Sequence, residues 1–180
     1  ASDTALHDLL DARSMERTIE LQATLGQIRK SMDHFRGKLL VIDPHRVQSH
    51  SRRRMRERSA YGSRPVKQAQ TFWLLDADTQ QPVCFTTATA AVSVVEATPI
   101  LLNLGAKILG PFDSRSLVLA DCEHFASAIL SSIRLGDIFD LLVPMPSQAA
   151  HVKRWRSIPH ESFPPGWPGC ATAMNNFQFK

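Results

Sequence analysis

Two short apolar runs in this chain, LLVID at residues 39–43 and LVLAD at residues 117–121, each end in an aspartate. Runs of this length, rich in branched residues, read as buried strands. An ionised carboxylate is tolerated there only where the strand emerges towards water or a counter-charge. In the first run Pro44 follows at once, and because proline cannot donate to a central ladder the strand is expected to end near Asp43. If the two strands are parallel neighbours, Asp43 and Asp121 project into one cleft, at the strand ends where sites in open sheets assemble. Two carboxylates held close repel unless a cation intervenes, and Mg²⁺ or Mn²⁺ prefers hard oxygen ligands. Either aspartate alone reads equally as a turn starter or a helix cap.

The remaining pattern surrounds these runs with alternating elements. Residues 3 to 36 place Leu6, Leu9, Leu10, Ile19, Leu25, Ile28, Met32 and Phe35 at helical spacings, predicting one or two amphipathic helices closed by Gly37. After a polar connection come QAQTFWLLD and VCFTTATA, two strands joined by the turn ADTQQP and expected to pair as a hairpin. Asp76 and Asp78 belong to that turn for local reasons. Residues 94–109 fit a helix with Ser93 as its N-cap, provided that Pro99 lies in the first turn or beyond a kink. SLVLAD, the helix HFASAILSSIRLG and the strand IFDLLVPM complete the order. Three segments are expected: a helical one at 1–36, an α/β core at 37–146, and from 147 a linker with the start of a β-rich region. In that tail SIPHESFPPGWPG carries four prolines and two glycines, which defeat regular structure, before CATAMNNFQFK resumes alternation.

Charge adds a second constraint. The formal net charge is only +4, but between Arg46 and Lys67 eight basic residues stand against one acid, Glu57. Five of them, Arg52, Arg53, Arg54, Arg56 and Arg58, fall within RRRMRER. Arginine binds phosphate through a planar fork, so such a loop beside a carboxylate site would hold a nucleic-acid backbone without reading its sequence. A solvated polar face is the plainer reading of the same run. HVKRWR extends the basic track, with Trp155 either stacking on an unpaired base or buried in an amphipathic helix.

Other classes find no support. Three widely spaced cysteines suggest neither a disulfide framework nor a zinc knuckle. No apolar stretch reaches the roughly 18 residues needed to cross a bilayer, so a soluble, cytosolic chain without membrane contact is expected. A serine-hydrolase elbow and a glycine-rich phosphate loop are absent. His124, at the start of a helix, reads as a cap or surface group or as a positioner of water or phosphate.

With these residues in view, LLVIDPHRV, YGSRPVKQAQTFWLLDADTQQPV and SLVLADCEHF, in that order, resemble the catalytic domain of the DDE transposases of bacterial insertion sequences. The resemblance spans about residues 38–145. It implies an RNase H-like α/β fold, a mixed sheet of five strands in the order β-β-β-α-β-α-β with flanking helices. It also implies that Asp43 and Asp121 are metal-binding catalytic acids for Mg²⁺ or Mn²⁺, and that Lys67 occupies a basic position common in the family. DNA is the implied partner, metal-dependent phosphodiester cleavage and strand transfer the implied activity, a homo-oligomer on DNA the implied assembly, and the bacterial nucleoid the implied location. The family also needs a third acid, a glutamate on a helix. Glu161 stands 40 residues past Asp121, but in a proline-rich stretch unsuited to a helix, so the third acid is expected outside these residues and the chain by itself is expected to be a fragment. The rival expectation is a nucleic-acid-binding module on the same scaffold without catalysis; a further rival has the arginines contacting an acidic protein.

Overall fold

A computed structural model describes residues 15–50, 52, 57–58, 64–110 and 114–174. The chain divides into two compact units, one up to Val143 and one from Pro144. The first contains helix α1 (Met15–Ser31), strands β1 (Leu39–Gln48), β2 (Glu57–Arg58), β3 (Val66–Asp76) and β4 (Gln81–Thr89), and helix α2 (Val94–Leu109). Strand β5 (Ser116–Leu119), a 3₁₀ turn (Cys122–His124), helix α3 (Ser127–Gly136) and strand β6 (Phe139–Leu142) follow.

The strands form a mixed sheet in the order β4-β3-β1-β5-β6, with the two-residue β2 pairing the start of β3. β1, β3 and β4 are an antiparallel meander, whereas β5 and β6 run parallel to β1. This is the mixed α/β sheet with flanking helices, in the order β-β-β-α-β-α-β apart from the short β2, that the resemblance implies. Leu40, Ile42, Phe72, Leu74 and Val118 form one buried face, over which Leu101, Ile108, Leu109, Ile129 and Ile133 of α2 and α3 close the core. α2 lies between α1 and α3. Its approach to β3 depends on Gly105, where a Cβ would stand 2.4 Å from Leu74 Cδ2. The other face of the sheet keeps Leu117 and Leu142 exposed.

β1 does not stop at Asp43, and the ladder explains why Pro44 is tolerated. Leu39 O accepts from Ala77 N on the β3 side, whereas Lys38 O accepts from Leu117 N on the β5 side. By alternation the backbone of Pro44 points to the β5 side, where pairing has ended at Val41. The missing N–H therefore costs no ladder bond, and Pro44 pairs Phe72 within β1. Pro99 sits inside α2, beyond the first turn. The helix start is well held nonetheless: Ser93 and Glu96 form a reciprocal capping box.

In α1 the helix is as expected, and Ile19 and Ala23 pack against the core, but the larger apolar residues further along it do not. Leu25, Ile28 and Met32 are more than half exposed. Contact is also made at Gly26, where a Cβ would meet Ile108 at 2.7 Å, and through polar side chains. Gln22 donates to Phe85 O and accepts from Phe85 N, both at 3.1 Å, as a neighbouring strand would along the outer edge of β4. Arg29 donates to Pro82 O at 2.7 Å and covers the Phe35 ring.

Asp76 is 0% exposed, so its carboxylate needs internal donors. Arg36 N and Gly37 N donate to Oδ2 at 2.7 Å each, and Thr79 N donates to Oδ1 at 3.0 Å. This one side chain ties the entry of β1 to the β3–β4 turn. Asp76→Ala orphans three backbone donors and is expected to lower unfolding free energy by about 3 kcal/mol or more, measured by urea denaturation.

The second unit holds helix α4 (Ala149–Arg156), a 3₁₀ turn (His160–Ser162) and the antiparallel pair β7 (Pro165–Trp167) and β8 (Cys170–Ala171). Strand β7 thus lies within the proline-rich stretch, where the sequence did not suggest regular structure, whereas β8 lies in CATAMNNFQFK, where alternation was expected to resume.

Candidate metal and nucleic-acid site

The geometry of the site follows from the register of β1 on β5. Leu39 faces Leu117, Leu40 faces Val118 and Val41 faces Leu119, a constant offset of 78. Asp43 and Asp121 differ by the same 78, so the register carried two residues further sets them level on adjacent strands. Neighbouring strands lie about 4.8 Å apart. Asp121 keeps extended backbone angles (φ −77°, ψ 176°), and Ala120 N still bonds Leu142 O, so the strand direction persists to that point. Alternation places Asp43 with Val41 and Leu39, on the sheet face away from the helical layer, and it is exposed.

The two carboxylates differ in how they are held. The Asp43 carboxylate makes no hydrogen bond or ion pair with the described residues; only the backbone is engaged, opposite Trp73 of β3. Asp121, whose side chain is 52% exposed, is fixed through a single oxygen: Oδ1 accepts from Glu123 N at 3.1 Å and from His124 Nδ1 at 2.8 Å. It is therefore a true N-cap of the 3₁₀ turn, with Oδ2 left for another partner. His124, for which the sequence suggested a cap or surface group, is 0% exposed. The i,i+3 spacing of Asp121 and His124 was the available signal for their contact.

Arg46 does not extend into a free basic track. Its guanidinium pairs with the Glu123 carboxylate through both terminal nitrogens, and Nε donates to Gln70 Oε1 at 3.2 Å. Gln70, 1% exposed, in turn donates to Thr89 O and Val92 O. The segment after Asp43 is thereby strapped to the segment after Asp121. Neither Glu123 nor Gln70 was singled out from the sequence, because partners 77 residues apart leave no spacing pattern.

The described arginines of the run, Arg52 and Arg58, come after the end of β1. β1 continues five residues past Asp43 to Gln48 before the connection begins, a span of about 16 Å. Arg52 is exposed, and Arg58 pairs opposite Val66 in β2. Arg53, Arg54 and Arg56 lie outside the described residues. Lys67 falls within β3, opposite Glu57, and alternation puts it on the face that carries Asp43 and His45.

Among the described residues, no three His, Cys, Asp or Glu side chains gather as a metal site. Glu161 is exposed in the 3₁₀ turn of the second unit. In donor type Asp43 and Asp121 suit a small hard cation. No described helix is long and apolar enough to cross a membrane.

No protein-family model matches the chain, and no curated protein matches it. Several solved structures share part of its course. The catalytic domain of Mos1 mariner transposase aligns with a TM-score of 0.43 at 13% identity, over 77% of this chain and 66% of that one. A Mos1 mariner paired end complex with Mn gives 0.41 at 13% identity, over 80% and 55%. A piggyBac transposase synaptic complex with hairpin DNA gives 0.44 at 14% identity, over 81% and 33%. The chain thus spans little more than half of the paired-end-complex protein. At this similarity the functional reading rests on the residues themselves.

Cysteine chemistry provides a check on the placement of the second strand end. Cys122, next to Asp121, is exposed, whereas Cys84 is buried and its thiol is pushed up to about 12 by desolvation. At pH 8 a thiol reagent is expected to label Cys122 in the folded protein and to reach Cys84 only on unfolding, read by peptide mass spectrometry.

Proposed function

We propose that this chain is the core of a DNA transposase catalytic domain of the bacterial insertion-sequence type, acting on phosphodiesters with a divalent metal on the nucleoid. The observation that carries the reading is the shared level of Asp43 and Asp121 at adjacent parallel strands. Asp43 and Asp121 would hold Mg²⁺ or Mn²⁺; the bound ion would activate water or a 3′ hydroxyl and stabilise the leaving oxygen. The chain's own task is orientation. The β1–β5 register sets the spacing of the acids, and the Arg46–Glu123 pair ties the segments that follow them. Arg52, Arg53, Arg54, Arg56, Arg58 and Lys67 would hold the DNA backbone without base readout, leading it along the face that carries Asp43. The third acid belongs to residues beyond those described, and more than one copy would assemble on DNA.

Two measurements test the reading. Mn²⁺ titrated into the chain should bind, with affinity falling at least about tenfold in both Asp43→Ala and Asp121→Ala, because each removes a ligand. Unchanged affinity in both variants would leave a nucleic-acid-binding module without catalysis. Retention of duplex DNA should weaken steeply between 50 and 200 mM salt, and replacing Arg52, Arg53 and Arg54 with Ala should lower the slope of log K against log salt by about 3. No retention at low salt would remove DNA as the partner.

A further inference from the structure

His124 occupies a position that burial alone does not explain. The side chain is 0% exposed, in a 3₁₀ turn packed against α2, and Nε2 finds no hydrogen-bond partner among the described residues. An apolar side chain of similar size would fill the same space without an orphaned nitrogen. The compensation lies on the other side of the ring. An ionised carboxylate has no proton to donate, so against it the tautomer that bonds is the one with the proton on Nδ1, which lies 2.8 Å from Oδ1. Glu123 N donates to the same oxygen at 3.1 Å. Two donors on Oδ1 fix the plane of the carboxylate while leaving Oδ2 open.

We infer that His124 is a positioning residue for Asp121, orienting its free oxygen towards a divalent cation shared with Asp43. This rests on the proposed metal-binding role of the two aspartates. A ligating carboxylate that is already oriented loses less freedom on binding, and partners of this kind commonly set metal affinity. Glu123 N alone leaves the carboxylate free to rotate about that one bond, so the imidazole supplies the second point of a two-point hold.

The test uses manganese chloride alone, with free Mn²⁺ read by electron paramagnetic resonance and folding followed by circular dichroism. Asn carries its N–H at the position of Nδ1, whereas Gln carries it at the position of Nε2. His124→Phe and His124→Gln are expected to weaken Mn²⁺ binding about tenfold, and His124→Asn to stay within about twofold of the unaltered chain. Equal affinities for the Asn and Gln variants, or an unaltered affinity in His124→Phe, would overturn the inference while loss in Asp121→Ala kept the metal reading. Retained binding in both Asp43→Ala and Asp121→Ala would overturn the metal reading itself. Should the variants fail to fold, Mn²⁺ added to the unaltered chain is expected to broaden the His124 ring resonances before those of His34. Equal broadening would overturn the inference.

Discussion

The site depends on three residue pairs between β1 and β5. Parallel strands in register keep level residues on one face, so the offset that pairs Leu40 with Val118 also brings Asp43 level with Asp121. A slip of one residue would turn the apolar set of β5 to the wrong face of the sheet. Val118 is fully buried between Leu40 and the helical layer, which makes such a slip expensive. Core packing, rather than any attraction between the acids, sets their relation.

Polar side chains then transmit that register to the loops. Gln70 spans from the β4 end, through Thr89 O and Val92 O, to Arg46, and Arg46 reaches Glu123 beyond β5. The chain of contacts crosses the sheet from one edge of the meander to the parallel half. With about a third of each side chain exposed, the Arg46–Glu123 pair adds little stability by itself, about 1 kcal/mol or less. Its consequence is geometric: it limits how far the turn after Asp121 can move from β1. Asp76 performs the matching task at the opposite end of β1, where it fixes the entry loop.

The edge strand β4 shows a related economy. An unpaired edge invites association, and here the amide of Gln22 satisfies both backbone groups of Phe85. α1 therefore needs no continuous apolar stripe to stay attached, which accounts for its exposed Leu25, Ile28 and Met32.

Local pattern determined the strands, the helix starting at Ser93 and the two aspartates at strand ends, because apolar period, capping chemistry and chain punctuation act over a few residues. It misjudged Pro44, since whether a proline is tolerated depends on which side of a strand is paired. It left His124 open as a cap, a surface group or a positioner of water or phosphate, and it held no sign of the Arg46–Glu123 pair, since burial and ion pairing are decided by residues far away in number. Only the tertiary structure brought Glu123 to Arg46, closed His124 behind Asp121 and fixed the β1–β5 register from which the relation of Asp43 to Asp121 follows. Those relations come from sheet order and register, which arise when whole elements pack and leave no trace in the spacing of neighbouring residues.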